Sequence, residues 1–137
     1  MIPTGTSTVE EEQPAFEIIT QPSLTWKIDF EKNRVVGLCD ELEAYKQAVY
    51  LALNVERYKH LILSWNYGVE MSGLFGQPIP YVVPELERVI TEALMQDDRT
   101  EGVHSFEFDT SKRGTVTVKF VVQSIYGEVT VEKEVQL

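Results

Sequence analysis

The hydropathy pattern predicts an α+β fold: an N-terminal β-hairpin, two main helices packed on a sheet, and a C-terminal three-stranded antiparallel meander. Three observations carry this. Apolar residues alternate with polar ones near both ends, as in half-buried strands. Two central segments repeat at the helical period of about 3.6, each behind a helix-start residue. A stretch rich in Gly and Pro separates them. With 137 residues and 43% apolar composition, the chain suits a single α+β domain over 23–137, preceded by an extended arm over 1–22.

The arm mixes Thr, Ser, Pro and Gly with the run Glu10-Glu11-Glu12 and holds no sustained apolar period. Its one sticky patch is Phe16-Glu17-Ile18-Ile19, between Pro14 and Pro22. From Leu24 the pattern becomes strict alternation, with Leu24, Trp26, Ile28 and Phe30 on one side, so a half-buried strand is expected. Glu31-Lys32-Asn33 follows as a turn, with Asn33 suited to a left-handed conformation, and Arg34–Leu38 completes the hairpin.

Asp40 stands three residues before Glu43, the spacing of a capping box, which predicts a helix ending near Asn54. Its apolar face is Leu42, Tyr45, Val49, Ala52 and Leu53. Residues 57–83 read as a packed loop. Leu61-Ile62-Leu63 could be a short strand, Met71–Leu74 a helical turn, and Trp65, Tyr67 and Phe75 are too apolar for a solvated linker. Pro84 fits the first position of a second helix over 84–97, with Glu85 and Glu87 in its first turn and Leu86, Val89, Ile90, Ala93 and Leu94 on its apolar face.

The remainder is β. His104, Phe106 and Phe108 alternate with Val103, Ser105 and Glu107, which puts His104 on the aromatic face as a packed core or edge histidine. After a turn at Asp109–Gly114, Val116, Val118, Phe120 and Val122 define the inner side of the next strand. A second turn near Gly127 leads to Val129, Val131, Lys133, Val135 and Leu137, opposite Glu128, Thr130, Glu132, Glu134 and Gln136. This last strand is either a capped edge or a strand offered to another chain.

The chemistry of the residues excludes more than it proposes. Twelve Lys and Arg against 22 Asp and Glu give a net charge of −10, which argues against nucleic acid and anionic membranes as partners. Cys39 is the single cysteine; it lies at a strand-to-helix junction with only His60 and His104 as possible bases, so it reads as a small buried residue. The same three residues lack metal-ligand spacing, and no phosphate cradle occurs, so no metal and no cofactor is expected. No apolar stretch approaches the length of about 20 residues needed for a membrane span, and the N-terminus lacks the pattern of a signal peptide, so a cytoplasmic product is expected. Twenty-two carboxylates leave glycoside hydrolysis formally open, but most of them fall at helix starts or solvent faces.

One acidic feature opposes the helix dipole: Asp97 and Asp98 close the second helix, followed at once by Arg99. Either Arg99 offsets the dipole while Asp98 opens a turn, or the acid–Arg pair is held for a partner or as a fixed internal ion pair.

Ser64-Trp65-Asn66-Tyr67-Gly68, then Leu74-Phe75-Gly76, then a helix over Pro84–Gln96 closed by Asp97-Asp98-Arg99, resemble the wedge protein of contractile phage-tail baseplates, the lysozyme-like wedge or sheath-initiator family. Asp97-Asp98-Arg99 stands where that family has Glu-Pro-Arg, keeping the arginine and one acid. Leu24-Thr25-Trp26-Lys27-Ile28 and Ala44-Tyr45-Lys46-Gln47-Ala48-Val49-Tyr50 are similar to the XkdS-like branch of contractile-tail prophages. The resemblance covers residues 22–127.

It implies a structural protein and not an enzyme. Such a protein is assembled in the host cytoplasm in several copies around a six-fold ring, contacts other wedge proteins, and nucleates the sheath by exchange of its terminal β-strands. Asp97, Asp98 and Arg99 would then face wedge partners, and Val129, Val131, Val135 and Leu137 would carry the strand offered to the sheath. A muramidase-like tail enzyme is the alternative the family's old label suggests, although no paired-carboxylate cleft can be argued from these residues. A soluble adaptor for an unrelated acidic partner is a third reading.

Overall fold

A computed structural model describes residues 17, 19 and 21–137, so the arm lies almost wholly outside the described residues. The elements run β1 (Thr25–Asp29), β2 (Arg34–Cys39), α1 (Glu41–Leu53), a 3₁₀ turn (Ser72–Leu74), α2 (Ile79–Leu94), β3 (Thr100–Asp109), β4 (Thr115–Ser124) and β5 (Gly127–Gln136). They form a two-stranded sheet, β1-β2, and a three-stranded antiparallel sheet, β3-β4-β5, so the α+β expectation holds.

The core is shared by α1, α2 and the inner face of the larger sheet. Tyr45, Val49 and Leu53 of α1 meet Val82, Leu86, Val89, Ile90, Ala93 and Leu94 of α2 and Val116, Val118, Phe120 and Val122 of β4. Each Val, Leu, Ile or Phe among them contributes roughly 1.5–3 kcal/mol by leaving water. Phe120 is the hub, with the Phe106 ring stacked 5.2 Å away.

Asp40 caps α1 by accepting from the Glu41 amide at 2.7 Å. The expected reciprocal bond from Glu43 gives way to an ion pair between Glu43 and Lys27 of β1. Gln47, one turn further on, acts as a surrogate strand: its amide donates to the Trp26 carbonyl at 2.8 Å and accepts from the Ile28 amide at 2.9 Å. Phe30 reaches Tyr50 with ring centres 4.5 Å apart. The hairpin is thereby fastened to α1 along the outer edge of β1. Opposite Lys27, β2 carries an extra residue at Val36-Gly37, where Gly37 takes a φ of 100°. Asn33 takes the left-handed conformation expected of it.

Several expectations are corrected. The hairpin is not half-buried: Leu24, Trp26, Val35 and Leu38 are exposed, because the second layer that would cover a sheet of two strands is missing from the described residues. The loop between the helices is packed at Val69, Met71 and Leu74 but not at its tip, and Leu61-Ile62-Leu63 lies in turns instead of a strand. The second helix begins at Ile79, five residues before Pro84, because buried Val82 extends its apolar face back by one turn. Pro80 takes the early position tolerant of a missing N–H, and Pro84 sits exposed inside the helix at the cost of one backbone bond. Glu85 therefore pairs with Arg88 in mid-helix, and the helix ends at Leu94, leaving Asp97 and Asp98 in the following turn. His104 is exposed: β3 bulges between His104 and Glu107, with Ser105 at φ 58°, and this inverts the side-chain phase.

Candidate functional site

The turn after α2 is built around one carboxylate. Asp97 accepts from the Arg99 backbone amide at 3.0 Å, from Nε at 2.9 Å and from Nη2 at 2.6 Å. Asp97 N donates to Leu94 O and Thr100 N to Asp97 O, which closes the turn between α2 and β3. The guanidinium lies over the Tyr45 ring, 5.4 Å from its centre, and Tyr45 in turn shares a 2.6 Å hydroxyl bond with Thr100. Arg99 is 18% exposed at its side chain, so the pair is an internal fixture of the turn. Burial pushes the Asp97 carboxyl up, but the Arg99 hydrogen bonds and charge outweigh it and hold the group below the usual aspartate range. Hydrogen bonding to Asp97 raises Arg99, and burial raises Tyr45. Asp98 is exposed beside this fixture.

A depression of about 290 Å³ brings this turn to the loop singled out in the sequence: Ser64, Asn66 and Tyr67 on one side, Gln96, Asp97 and Arg99 on the other, with Ala48 and Ala52 of α1 between. The loop owes its path to Gly68, whose φ is 99° and whose place would set a Cβ 2.6 Å from the Val55 carbonyl. Arg57 clamps the same path. It is buried, donates from Nε to Gly68 O at 3.3 Å, and pairs through Nη1 with Glu92 of α2 at 2.9 Å. Glu56 accepts from the Met71 and Ser72 amides. Nothing in the spacing of Arg57 or Glu56 distinguishes them in the sequence.

Beyond these anchors the loop tip projects apolar side chains. Leu61 is 98% exposed, Ile62 95% and Trp65 77%, and Tyr58 stands edge-on to Trp65 at 6.5 Å. With Leu24, Trp26, Val35 and Leu38 of the hairpin, the described residues present two apolar surfaces with no cover of their own.

The last strand supplies the third surface. β5 pairs with β4 in unbroken register from Thr115↔Gln136 to Ser124↔Gly127, and among the described residues no strand flanks its other side in the sheet. Leu137 N donates to Gly114 O at 2.8 Å, which extends that register by one rung. Antiparallel rungs alternate between bonded and unbonded pairs. The odd-numbered residues 127–137 therefore bond to β4, and the backbone groups of Glu128, Thr130, Glu132, Glu134 and Gln136 face outward. β3, the opposite edge, is interrupted by two register shifts. An unbroken edge is the better template for another strand, and a bulged one is the better protected. Beside β5 runs a groove of about 690 Å³, walled by Lys46, Val49, Tyr50 and Leu53 of α1 and by Asn54, which caps its C-terminus.

Of the residues expected to serve the offered strand, Val129 and Val135 are buried in the core and Val131 and Leu137 pack partly against it. They hold β5 in place and leave its backbone edge as the exposed feature. The Asp97–Arg99 turn and the β5 edge do not meet; they lie on two sides of α1, with Val49 lining both the depression and the groove. Cys39 is a free, buried cysteine. Among the described residues no group of three His, Cys, Asp or Glu side chains could hold a metal ion. No helix among the described residues is long and apolar enough to cross a membrane.

A small domain whose described residues leave one sheet edge unbroken and unpaired, and apolar surfaces open, is suited to assembly with other chains. The chain belongs to the family of contractile injection system sheath initiators, whose model matches residues 24–127. It is similar to the phage-like element PBSX protein XkdS of Bacillus subtilis (strain 168), with 38% identity over 120 residues that cover 84% of each chain. Membership gives it a structural role in a contractile tail, in contact with the sheath and other tail components.

Proposed function

We propose that this protein joins the inner wedge ring of the baseplate, in several copies with six-fold symmetry, and starts the sheath by exchanging a strand along β5. It assembles in the host cytoplasm and remains in the baseplate of the mature tail. The observation that carries this reading is the unbroken β5 edge, with five outward-facing backbone positions beside an open groove. Strand addition to such an edge supplies main-chain hydrogen bonds for affinity and side-chain pockets for specificity.

The wedge partners then meet the opposite side of α1. Arg99 keeps the turn in shape, exposed Asn66 and Gln96 rim the depression toward the partner, and exposed Asp98 lines the neighbouring hollow beside Gln96 and Ala48. The apolar loop tip and the hairpin supply further area, as assembly surfaces of stable complexes do.

Deleting residues 129–137 does not test this cleanly, since it strips Val129 and Val135 from the core. Glu132→Pro is the sharper variant. It removes an outward N–H at an exposed position and spares the bonds to β4. Baseplates carrying it should form with bare tubes. Normal sheathed tails would refute strand exchange at β5.

A further inference from the structure

Lys133 is out of place. It occupies the inward face of β5 between Val131 and Val135, the face that otherwise packs on the core. Burial lowers its pKa, so the ammonium stands in an environment that disfavours its charge. Its one polar contact among the described residues is Asn54 Oδ1 at 3.4 Å, across the groove, and it forms no ion pair with any described carboxylate. Lys46 lines the same groove from α1. The outward face of β5 has the opposite sign, with Glu128, Glu132 and Glu134.

Resting on the reading of β5 as the edge that receives the sheath, we propose that Lys133 selects the incoming strand. The segment that enters the α1–β5 groove carries a carboxylate on its inward face at the Lys133 rung and basic side chains on its outward face. The charge pattern argues for this occupant. A strand added to β5 has its side chains directly opposite those of β5, and opposite charges across such rungs attract while like charges repel. The existing sheet shows two such rungs, where Lys119 of β4 stands between Glu107 of β3 and Glu132 of β5. Apolar side chains on the incoming inward face would meet Val49, Leu53 and Val131 in the groove. A second copy of β5 is rejected by the same pattern, since it would bring one row of glutamates against another. An inward-pointing charge is also a recognised guard on a free edge. Lys133 thus blocks random apolar strands and admits a matched one.

The test uses the full chain and two capped ten-residue peptides of alternating Lys and Val, one with Glu and one with Lys at the central inward position. Affinity is read by fluorescence anisotropy at low salt, and the binding site by protection of the 128, 130, 132, 134 and 136 amides from exchange. The Glu peptide should bind about fivefold tighter, the upper end of one charged cross-strand pair. Lys133→Met, which keeps the stem's bulk, should abolish the preference, and Lys133→Glu should reverse it. Equal affinities on the wild-type chain, with those amides protected by both peptides, would overturn the role of Lys133 and leave the sheath-edge reading intact. Absence of protection with both peptides would overturn it as well. Protection of the same amides in sheathed tails would then show that the failure concerns Lys133, whereas exposed amides there would defeat the edge reading itself.

Discussion

Arg99 rests its guanidinium over the Tyr45 ring while both its Nε and Nη2 donate to the Asp97 carboxylate. A lysine ammonium can reproduce neither the planar stacking nor the two-pronged bond. Arg99→Lys should therefore destabilise the protein by about 1–3 kcal/mol in urea unfolding, nearly as much as Arg99→Ala. The protein should remain folded in both, and both should fail in tail assembly. Full assembly with Arg99→Ala would confine the residue to holding the turn after α2.

The same pair sets a pH dependence. A carboxyl held below its unfolded value of 3.8 contributes stability that is complete above that value and is lost as pH falls through the lower folded value. The stability gap between the wild type and Asp97→Asn should therefore be flat from neutral pH down to about pH 4 and shrink below it. Urea midpoints measured across that range check this; a gap that changed between pH 5 and 8 would assign the dependence to other groups.

Gly68 combines backbone strain with lack of space, and Gly73 has neither. Its φ of 99° and the 2.6 Å approach of a Cβ to Val55 O make Gly68→Ala costly, by roughly 1–3 kcal/mol. Gly73, with nothing within 4 Å of its Cβ position, should accept alanine within about 0.5 kcal/mol. Thermal unfolding of the two variants decides the point.

At the loop tip, stability and assembly should come apart. Leu61 and Ile62 contribute almost nothing to the core, so the double change to Ser should leave the unfolding midpoint within about 0.5 kcal/mol of wild type. If the tip is a docking surface, that variant should be missing from purified baseplates. Normal incorporation would make the tip dispensable.

These outcomes also show where sequence reasoning reaches. The meander was legible because one-sided burial writes a period of two, and Val116, Val118, Phe120 and Val122 are all buried as their alternation requires. The same alternation marked Leu24 and Trp26 as one face, but periodicity tells which side is apolar and not what covers it. His104 was misplaced because a bulge shifts phase without leaving a compositional mark. The start of α2 was misread because two prolines offered the same signal, and only the burial of Val82 separates Pro80 from Pro84. At the candidate site, the Asp97–Arg99 pair was visible as neighbouring opposite charges. Its stacking on Tyr45, the clamp of Arg57 on Gly68 and the isolation of Lys133 depend on contacts between distant segments.

The central claim is that β5 receives a strand from the sheath, and amide hydrogen exchange tests it most directly. In the free protein the odd-numbered β5 amides bonded to β4 should exchange slowly, and those of Glu128, Thr130, Glu132, Glu134 and Gln136 should exchange fast. In sheathed tails the fast set should become protected, so that every amide from 128 to 136 is slow. Persistence of the alternating pattern in sheathed tails would contradict the account, because no strand could then be bonded to the outer edge of β5.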